Sequence, residues 1–465
     1  MATPIPDRAA AAVLGASLRR LGYLEERIED MLDEDAFAGG REEVLVAERR
    51  LPKSKLATAI RLLFLQLPVP EAEVARALGP KAVGALVATG LAELHGDVVP
   101  QARIMPVDDV LLASDGFTRD ADDPPDYVAS YTPTARTCDV LTPRKRGRRA
   151  LDVGTGSGIH ALLAARDNQH VVAIDVNPRA LAYTALNAAL NGLDNVECRD
   201  GSFFEPAGDE IYDLITCNAP FVVSPEHRWI YRDSDFRGDD LTAYIVEASG
   251  EHLAPGGYAT VLGSWLVKGD GDSEVRPYEW VEETGCDGWV LASPEIDPLG
   301  YAASWNSEFF EDTAAYNAVL DEWTAYLAKF GARAVTEGAI LLHNSGAKRP
   351  TIRVDEFDEE SLESAGKQIR RAFENRARLA GMKSRDLLGA RLARAMPLGF
   401  ERTLGKRLGE LALEGGTGSM LHATPASAKL VERLDGKTTL QRLGADGAAV
   451  SLCRELLELG ALRFA

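Results

Sequence analysis

The sequence predicts an α/β protein with a doubly wound, seven-stranded sheet at its centre and a smaller helical module on either side. Three observations carry that prediction. From Ala150 to about Asn344, short apolar runs alternate with helix-period segments, the pattern of a parallel sheet covered on both faces. The first of those runs leads straight into Asp152-Val153-Gly154-Thr155-Gly156-Ser157-Gly158, a glycine-rich turn between a strand and a helix. The thirds of the chain also differ in charge: residues 1–100 carry 12 basic and 15 acidic side chains, residues 101–350 carry 20 and 40, and residues 351–465 carry 19 and 16.

A chain of 465 residues, 46% hydrophobic and 26% charged, has the balance of a globular protein, which excludes disorder as the main state. At roughly 100–200 residues per domain it suits about three domains, which we place at 1–105, 106–350 and 351–465. No apolar run approaches the ~18–20 residues of a spanning helix. Residues Ala9 to Ala16 lie between Arg8 and Arg19 and read as one face of a helix, not as a signal peptide. The five cysteines, Cys138, Cys198, Cys217, Cys286 and Cys453, are far apart and form no CxxC pair. Neither a disulfide framework nor a zinc ribbon is expected. The composition therefore points to a cytoplasmic protein with no metal and no membrane span.

The first module opens with a helical pattern, Ala9 to Tyr23, which Asp7 is placed to cap. A second apolar segment, Lys55 to Leu67, stops at Pro68. Helices are expected at Glu71–Leu78 and Lys81–Thr89, followed by strands Leu91–Leu94 and Val98–Ile104 around His95-Gly96-Asp97. Short helices followed by a hairpin give the order of a winged-helix unit. A helical cap that shields the next domain has the same order, and both readings stay open.

In the central third the strand candidates are Ala150–Val153, Val171–Asp175, Val196–Arg199, Leu214–Asn218, Tyr258–Gly263, Gly288–Ser293 and Ala339–His343. Helices are expected at Ile159–Arg166, Arg179–Asn191, Leu241–Leu253 and Thr313–Phe330. All six tryptophans fall in the second half of this region, where large aromatics are expected in the core. The last third reads as helical and basic to about Arg407, with a glycine joint at Gly415-Gly416-Thr417-Gly418. A second small winged-helix-like module follows, ending in a strand at Ala461–Phe464.

The glycine turn is the strongest chemical signal. Glycines at alternate positions let the backbone turn sharply and approach a ligand, and the next helix offers its first N–H groups. Asp152, Gly154, Thr155, Gly156 and Gly158 are therefore candidate ligand-binding residues. Asp175 ends the second strand, where a carboxylate accepts from ribose hydroxyls. Asp200 ends the third strand, where a carboxylate is placed to accept from an adenine amine. The fourth strand ends in Asn218-Ala219-Pro220-Phe221.

With that tetrapeptide, the chain resembles the class I S-adenosylmethionine-dependent methyltransferases. More narrowly, it resembles the group with an Asn-Pro-Pro-Phe/Tyr motif, which acts on amines of RNA or DNA bases and on the release-factor glutamine. The residues that carry the resemblance are LDVGTGSG (151–158), AIDVNPRAL (173–181), NAPFVVSP (218–225), YRD (231–233) and LAPGG (253–257), within about residues 106–345. It implies a Rossmann-like sheet, S-adenosyl-L-methionine as cofactor, and Asn218, Ala219, Pro220 and Phe221 facing the methyl acceptor. Ala219 stands where the group has its first proline. The carbonyl survives that exchange, and Pro220 still keeps Ala219 extended.

An exocyclic or amide nitrogen shares its lone pair with a π system and is a poor nucleophile. Acceptors on its N–H groups, from the Asn218 side chain and the Ala219 carbonyl, are expected to free that pair. Phe221 is expected to stack on the planar group. His160 and His227 lie near these segments. Tyr231, Arg232 and Asp233 follow the motif as possible lining, and Tyr131 and Thr132 are placed to border the methionine end. The first expectation for the acceptor is an RNA base, of rRNA or tRNA. Alternatives are a protein glutamine or a silent nucleic-acid-binding fold. Residues 366–407, with 12 basic and 3 acidic side chains, are the candidate RNA contact.

Overall fold

The α/β class holds in the computed structural model, which describes residues 3–32, 44–116, 124–226, 228–230, 232, 236–356 and 362–465. The chain divides into two compact units, each assembled from separate stretches. One contains Met1–Ala135, Arg146–Leu241 and Pro298–Phe330, and the other Arg136–Lys145, Thr242–Asp297 and Gly331–Ala465.

The first unit begins with the helix Arg8–Leu21, whose N-terminus Asp7 caps by accepting from the Ala9 and Ala10 amides at 3.0 Å. The helix Lys55–Ala59 continues as a single wide turn, Ile60–Phe64. There follow β1 (Val69–Pro70), the helices Glu71–Leu78 and Pro80–Ala88, β2 (Ala92–His95) and β3 (Asp97–Pro100), in an antiparallel sheet of order β1-β3-β2. The strand expected over Val98–Ile104 is two strands. The chain breaks after Pro100 and starts β4 (Arg103–Val107), which pairs with β5 (Val110–Ser114) in a hairpin the periodicity did not reveal.

Beyond that hairpin, β6 (Gly147–Val153), β7 (Asn168–Asp175), β8 (Val196–Asp200) and β9 (Tyr212–Cys217) run parallel in the order β8-β7-β6-β9. The helices Ile159–Ala164 and Pro178–Leu190 are the crossovers from β6 to β7 and from β7 to β8. The last four residues of β6 are buried, as a strand covered on both faces requires.

One continuous core joins the N-terminal helices to these crossovers. It contains Leu14, Leu18, Leu86, Ile104 and Leu112 together with Ile159, Leu162, Tyr183, Leu186 and Leu190. At Gly15 the first helix passes so close that a Cβ there would lie 2.0 Å from the Leu190 carbonyl oxygen. Arg19 donates to that same oxygen at 3.1 Å and to Asn191 Oδ1 at 3.0 Å, which satisfies the end of the Pro178–Leu190 helix. Asn187 and Asn191 sit four residues apart and read the open edge of β5. Asn187 accepts from the Ala113 amide at 2.8 Å and donates to its carbonyl at 2.8 Å. Asn191 does the same to Leu111 at 2.9 and 2.8 Å. Two amide side chains thus pair with β5 much as a strand would.

In the second unit β10 (Leu253–Lys268), β11 (Asp287–Ala292), β12 (Ala332–His343) and β13 (Ile352–Glu356) form the order β10-β12-β11-β13. β12 is antiparallel to both neighbours, and β11 and β13 are parallel. All seven expected strands are present, and β13 is an addition. The basic stretch up to Arg407 is helical only at Gly366–Leu379 and Ser384–Leu388. Gly389 and Pro397 break the remainder into pieces too short for a helix, and these pair instead as β14 (Arg391–Arg394) and β15 (Leu398–Glu401). β15 continues into a meander with β16 (Gly409–Leu413) and β17 (Met420–Ala423). β18 (Asp435–Thr439) and β19 (Leu462–Phe464) flank β14, with the helices Pro425–Glu432 and Gly447–Glu458 between the meander and the end of the chain. Among the described residues no helix is long and apolar enough to cross a membrane, and no group of three or more side chains is placed to hold a metal ion.

Candidate active site

The glycine turn leaves β6 with Gly154, Gly156 and Gly158 at φ +66°, +55° and +89°, a region that residues with a Cβ rarely enter. Two of the three also lack room for a side chain. A Cβ on Gly158 would lie 2.8 Å from Thr184 Oγ1, and one on Gly154 would lie 3.1 Å from the Ala219 Cβ and 3.2 Å from its Cα. Gly156 faces open space, with nothing within 4 Å of its missing Cβ. The turn therefore touches the Asn218–Phe221 segment at Gly154 and leaves an open face at Gly156.

Asp152 is 1% exposed and points inward. Its Oδ2 accepts from Thr155 Oγ1 at 2.7 Å and the Ala161 amide at 3.1 Å, and its Oδ1 from Thr216 Oγ1 at 2.8 Å. Asp152 thus ties the turn to the next helix and to β9, and Thr155 is buried beside it. Asp175, at the end of β7, accepts from the Gly156 amide at 2.9 Å and from the Asn177 amide at 2.9 Å. Burial pushes its carboxyl above the usual carboxylate range; the amide hydrogen bonds only partly counter that push, and the nearby Asp152 carboxylate adds to it. Asp200 is exposed at the end of β8, level with Asp175 in the parallel ladder.

At the end of β9, Ala219 is buried while Asn218, Pro220 and Phe221 are half-buried. Among the described residues neither the Asn218 side chain nor the Ala219 carbonyl has a hydrogen-bond partner within the chain. The loop that follows is fixed from behind. The Val223 amide donates to Tyr301 Oη at 3.0 Å, and Trp323 donates to Glu226 at 3.3 Å. Arg232 pairs with Glu226, donates to the Trp305 carbonyl at 3.2 Å and lies 4.3 Å above the Trp229 ring. It is 5% exposed and braces the loop from inside, so it does not line a substrate entrance. Tyr231, Asp233 and His227 lie outside the described residues. His160 is buried in the first helix after the turn.

Sequence reasoning missed three of these supports: Tyr301, Glu226 and Asp115. Only the crowding of tryptophans after residue 229 hinted at the first two. Asp115 is buried, pairs with Arg179, and accepts from Tyr183 Oη at 2.7 Å and from the Val128 amide at 2.9 Å. Asn177 holds the Asp126 carbonyl at 3.0 Å, so the segment leading to Tyr131 and Thr132 is anchored beside the end of β7.

A family described as a methyltransferase domain matches residues 144–249, the stretch that holds the turn, Asp175, Asp200 and Asn218–Phe221. This chain carries a class I methyltransferase domain. A second family, a domain of unknown function (DUF7059), matches residues 20–103. The methyltransferase domain is 35% identical over 130 residues to a release factor glutamine methyltransferase of Xylella fastidiosa, covering 25% of this chain and 47% of that protein. It is 34% identical over 165 residues to a ribosomal protein uL3 glutamine methyltransferase of Bradyrhizobium diazoefficiens, covering 32% of this chain and 52% of that one. The chain thus spans about half the length of the curated relatives it matches. A solved structure, Trm5b from Pyrococcus abyssi, overlaps 54% of this chain and 62% of its own at 16% identity, with a TM-score of 0.33, too low to bear on fold or function.

A methyltransferase domain of this class works with S-adenosylmethionine, and the residues here fit such a group. The open face at Gly156 leaves room for it. Asp175, half-buried at the end of β7 and bonded to the Gly156 amide, stands beside that open face, where its carboxylate would accept from the ribose hydroxyls.

Proposed function

We propose that the protein is a cytoplasmic N-methyltransferase whose acceptor is the side-chain amide of a protein glutamine. This reading takes precedence over the RNA base expected first. Both curated relatives reported above are named for glutamine, and neither is named for a nucleic acid. The observation that carries it is the contact of Ala219 with Gly154. It supports a reading in which the Asn218 side chain and the Ala219 carbonyl, neither hydrogen-bonded among the described residues, serve as acceptors beside the cofactor turn.

S-Adenosylmethionine supplies an electrophilic methyl on a sulfonium. The chain's own groups act on the acceptor. Asn218 Oδ1 and the Ala219 carbonyl accept from the two N–H groups of the glutamine amide, which orients the nitrogen and draws its lone pair out of conjugation. Phe221 packs on the amide plane and fixes its distance. Glu226 is occupied by Arg232 and Trp323, so its part is to hold the loop. Positioning of this kind supplies much of a methyl transfer's rate.

The test is transfer of labelled methyl from the cofactor into separated protein and RNA fractions of a deletion strain. Label in protein, recovered as N5-methylglutamine after digestion and absent with Asn218→Ala, is the expected result. Label in RNA alone overturns the reading.

A further inference from the structure

The cations of residues 366–407 do not act as one patch. Arg376 is 5% exposed, lies 4.4 Å over the Trp289 ring and donates to the Glu458 carbonyl at 2.9 Å, so it belongs to the core. The outward side of the same helix is different. Lys367, Arg370, Arg371 and Arg378 are exposed or half-exposed, and Arg463 and Phe464 of β19 complete a groove of about 400 Å³ with them. Five cations face this groove with one carboxylate, Glu374, which stands 3.8 Å from Arg370.

We propose that this groove binds the phosphodiester backbone of a single-stranded nucleic acid. Three features favour that occupant. Lys367 and Arg378 are eleven positions apart on the helix, about 16 Å along its axis, a span suited to several phosphates in a row and too long for one small anion. Arg371 is fixed by donating to the Gly460 carbonyl at 2.6 Å. Burial lowers its pKa; Glu374 only partly offsets this, and Arg370 and Arg463 alongside add to it, so an arriving anion relieves the charge. At one end the Arg378 guanidinium lies over Phe464, its central carbon 3.9 Å from the ring centroid. A planar cation on an aromatic ring is a surface on which a base stacks, which an acidic peptide would leave unused. The site is independent of which amine receives the methyl group.

The full chain is titrated with labelled single-stranded RNA and DNA of about 12 nucleotides, from ~50 to ~200 mM salt. The variant is Lys367→Gln with Arg370→Gln, Arg378→Gln and Arg463→Gln. Arg371 and Arg376 stay unchanged because the fold uses them. Wild type is expected to bind with a log–log salt slope of about −2 to −3, at about −0.7 for each phosphate contacted. The Gln variant should lose at least about tenfold in affinity at low salt and most of that slope. Arg370→Lys with Arg463→Lys, Lys367 and Arg378 being kept, should restore binding, as charge-based phosphate contacts require. The RNA and DNA arms identify which backbone is preferred. No binding by wild type, equal binding by the Gln variant, or displacement by polyglutamate as effective as by the oligonucleotide overturns the proposal.

Discussion

Asn218 and Asp175 divide the labour of the candidate site, and their substitutions should fail differently. Among the described residues the Asn218 side chain makes no hydrogen bond, so Asn218→Ala should leave cofactor affinity within about twofold and lower kcat about 100-fold or more through lost positioning. Isothermal titration beside single-turnover rates separates the two effects. Asp175 is the converse case. Its native pKa lies above the ordinary carboxylate value, so without cofactor the folded protein takes up its proton at a higher pH than the unfolded chain does. Stability attributable to Asp175 should therefore rise as pH falls through that raised value, and level off once pH is below the ordinary value. Cofactor affinity should fall over the same window, because the protonated carboxyl is a poorer acceptor for the ribose. Asp175→Asn should abolish both pH trends and weaken cofactor binding by roughly 10- to 100-fold. Melting curves and titrations across that window check both signs. The sequence showed both residues because each ends an apolar run. It could not show that Asp152 faces inward, since a carboxylate that organises a turn and one that binds a ligand look alike at the same position.

Among the elements, the strands with β-branched, fully apolar centres, such as Val171–Ile174, were legible, as was the helix capped by Asp7. Parallel and antiparallel pairing was not. The run Ala339–His343 has the same apolar texture whether its neighbours run with it or against it, and it is antiparallel to both. The β4–β5 hairpin escaped because one of its edges pairs with side chains instead of a strand, and asparagine spacing in a helix carries no strand periodicity. That substitute edge yields a prediction. Asn187 is fully buried, and Asn187→Ala would remove its hydrogen bonds to the Ala113 amide, the Ala113 carbonyl and the Ser157 carbonyl. The expected loss is about 3–5 kcal/mol for three lost bonds to buried groups, measured by urea denaturation. Asn187→Asp, which would bury a carboxylate against the Ala113 and Ser157 carbonyl oxygens, should cost at least as much. The basic stretch was only partly legible for a related reason. Arginine content says nothing about direction, and Arg376 and Arg378 are two positions apart with opposite fates.

For the molecule as a whole, the N-terminal helices and the crossovers of the parallel strands share one core, so the first hundred residues stabilise the catalytic fold directly. Gly15 is the point of closest approach. Gly15→Ala would drive a methyl group into the Leu190 carbonyl and should destabilise the first unit by about 1–3 kcal/mol, seen as a lowered melting temperature. Gly84, where a Cβ would meet nothing within 4 Å, is the control that should tolerate alanine.

The helix Pro178–Leu190 is gripped at both ends. Its first turn follows Asp175 and Asn177 at the cofactor turn, and its last carbonyl is held by Arg19 of the first helix. A rod clamped in this way couples the stiffness of its two ends. Filling the ribose site should therefore slow amide hydrogen exchange in Arg8–Leu21, at the far end of that helix from the ligand. Arg19→Ala should uncouple the two, leaving exchange in the first helix unchanged by cofactor while protection around Gly156 persists.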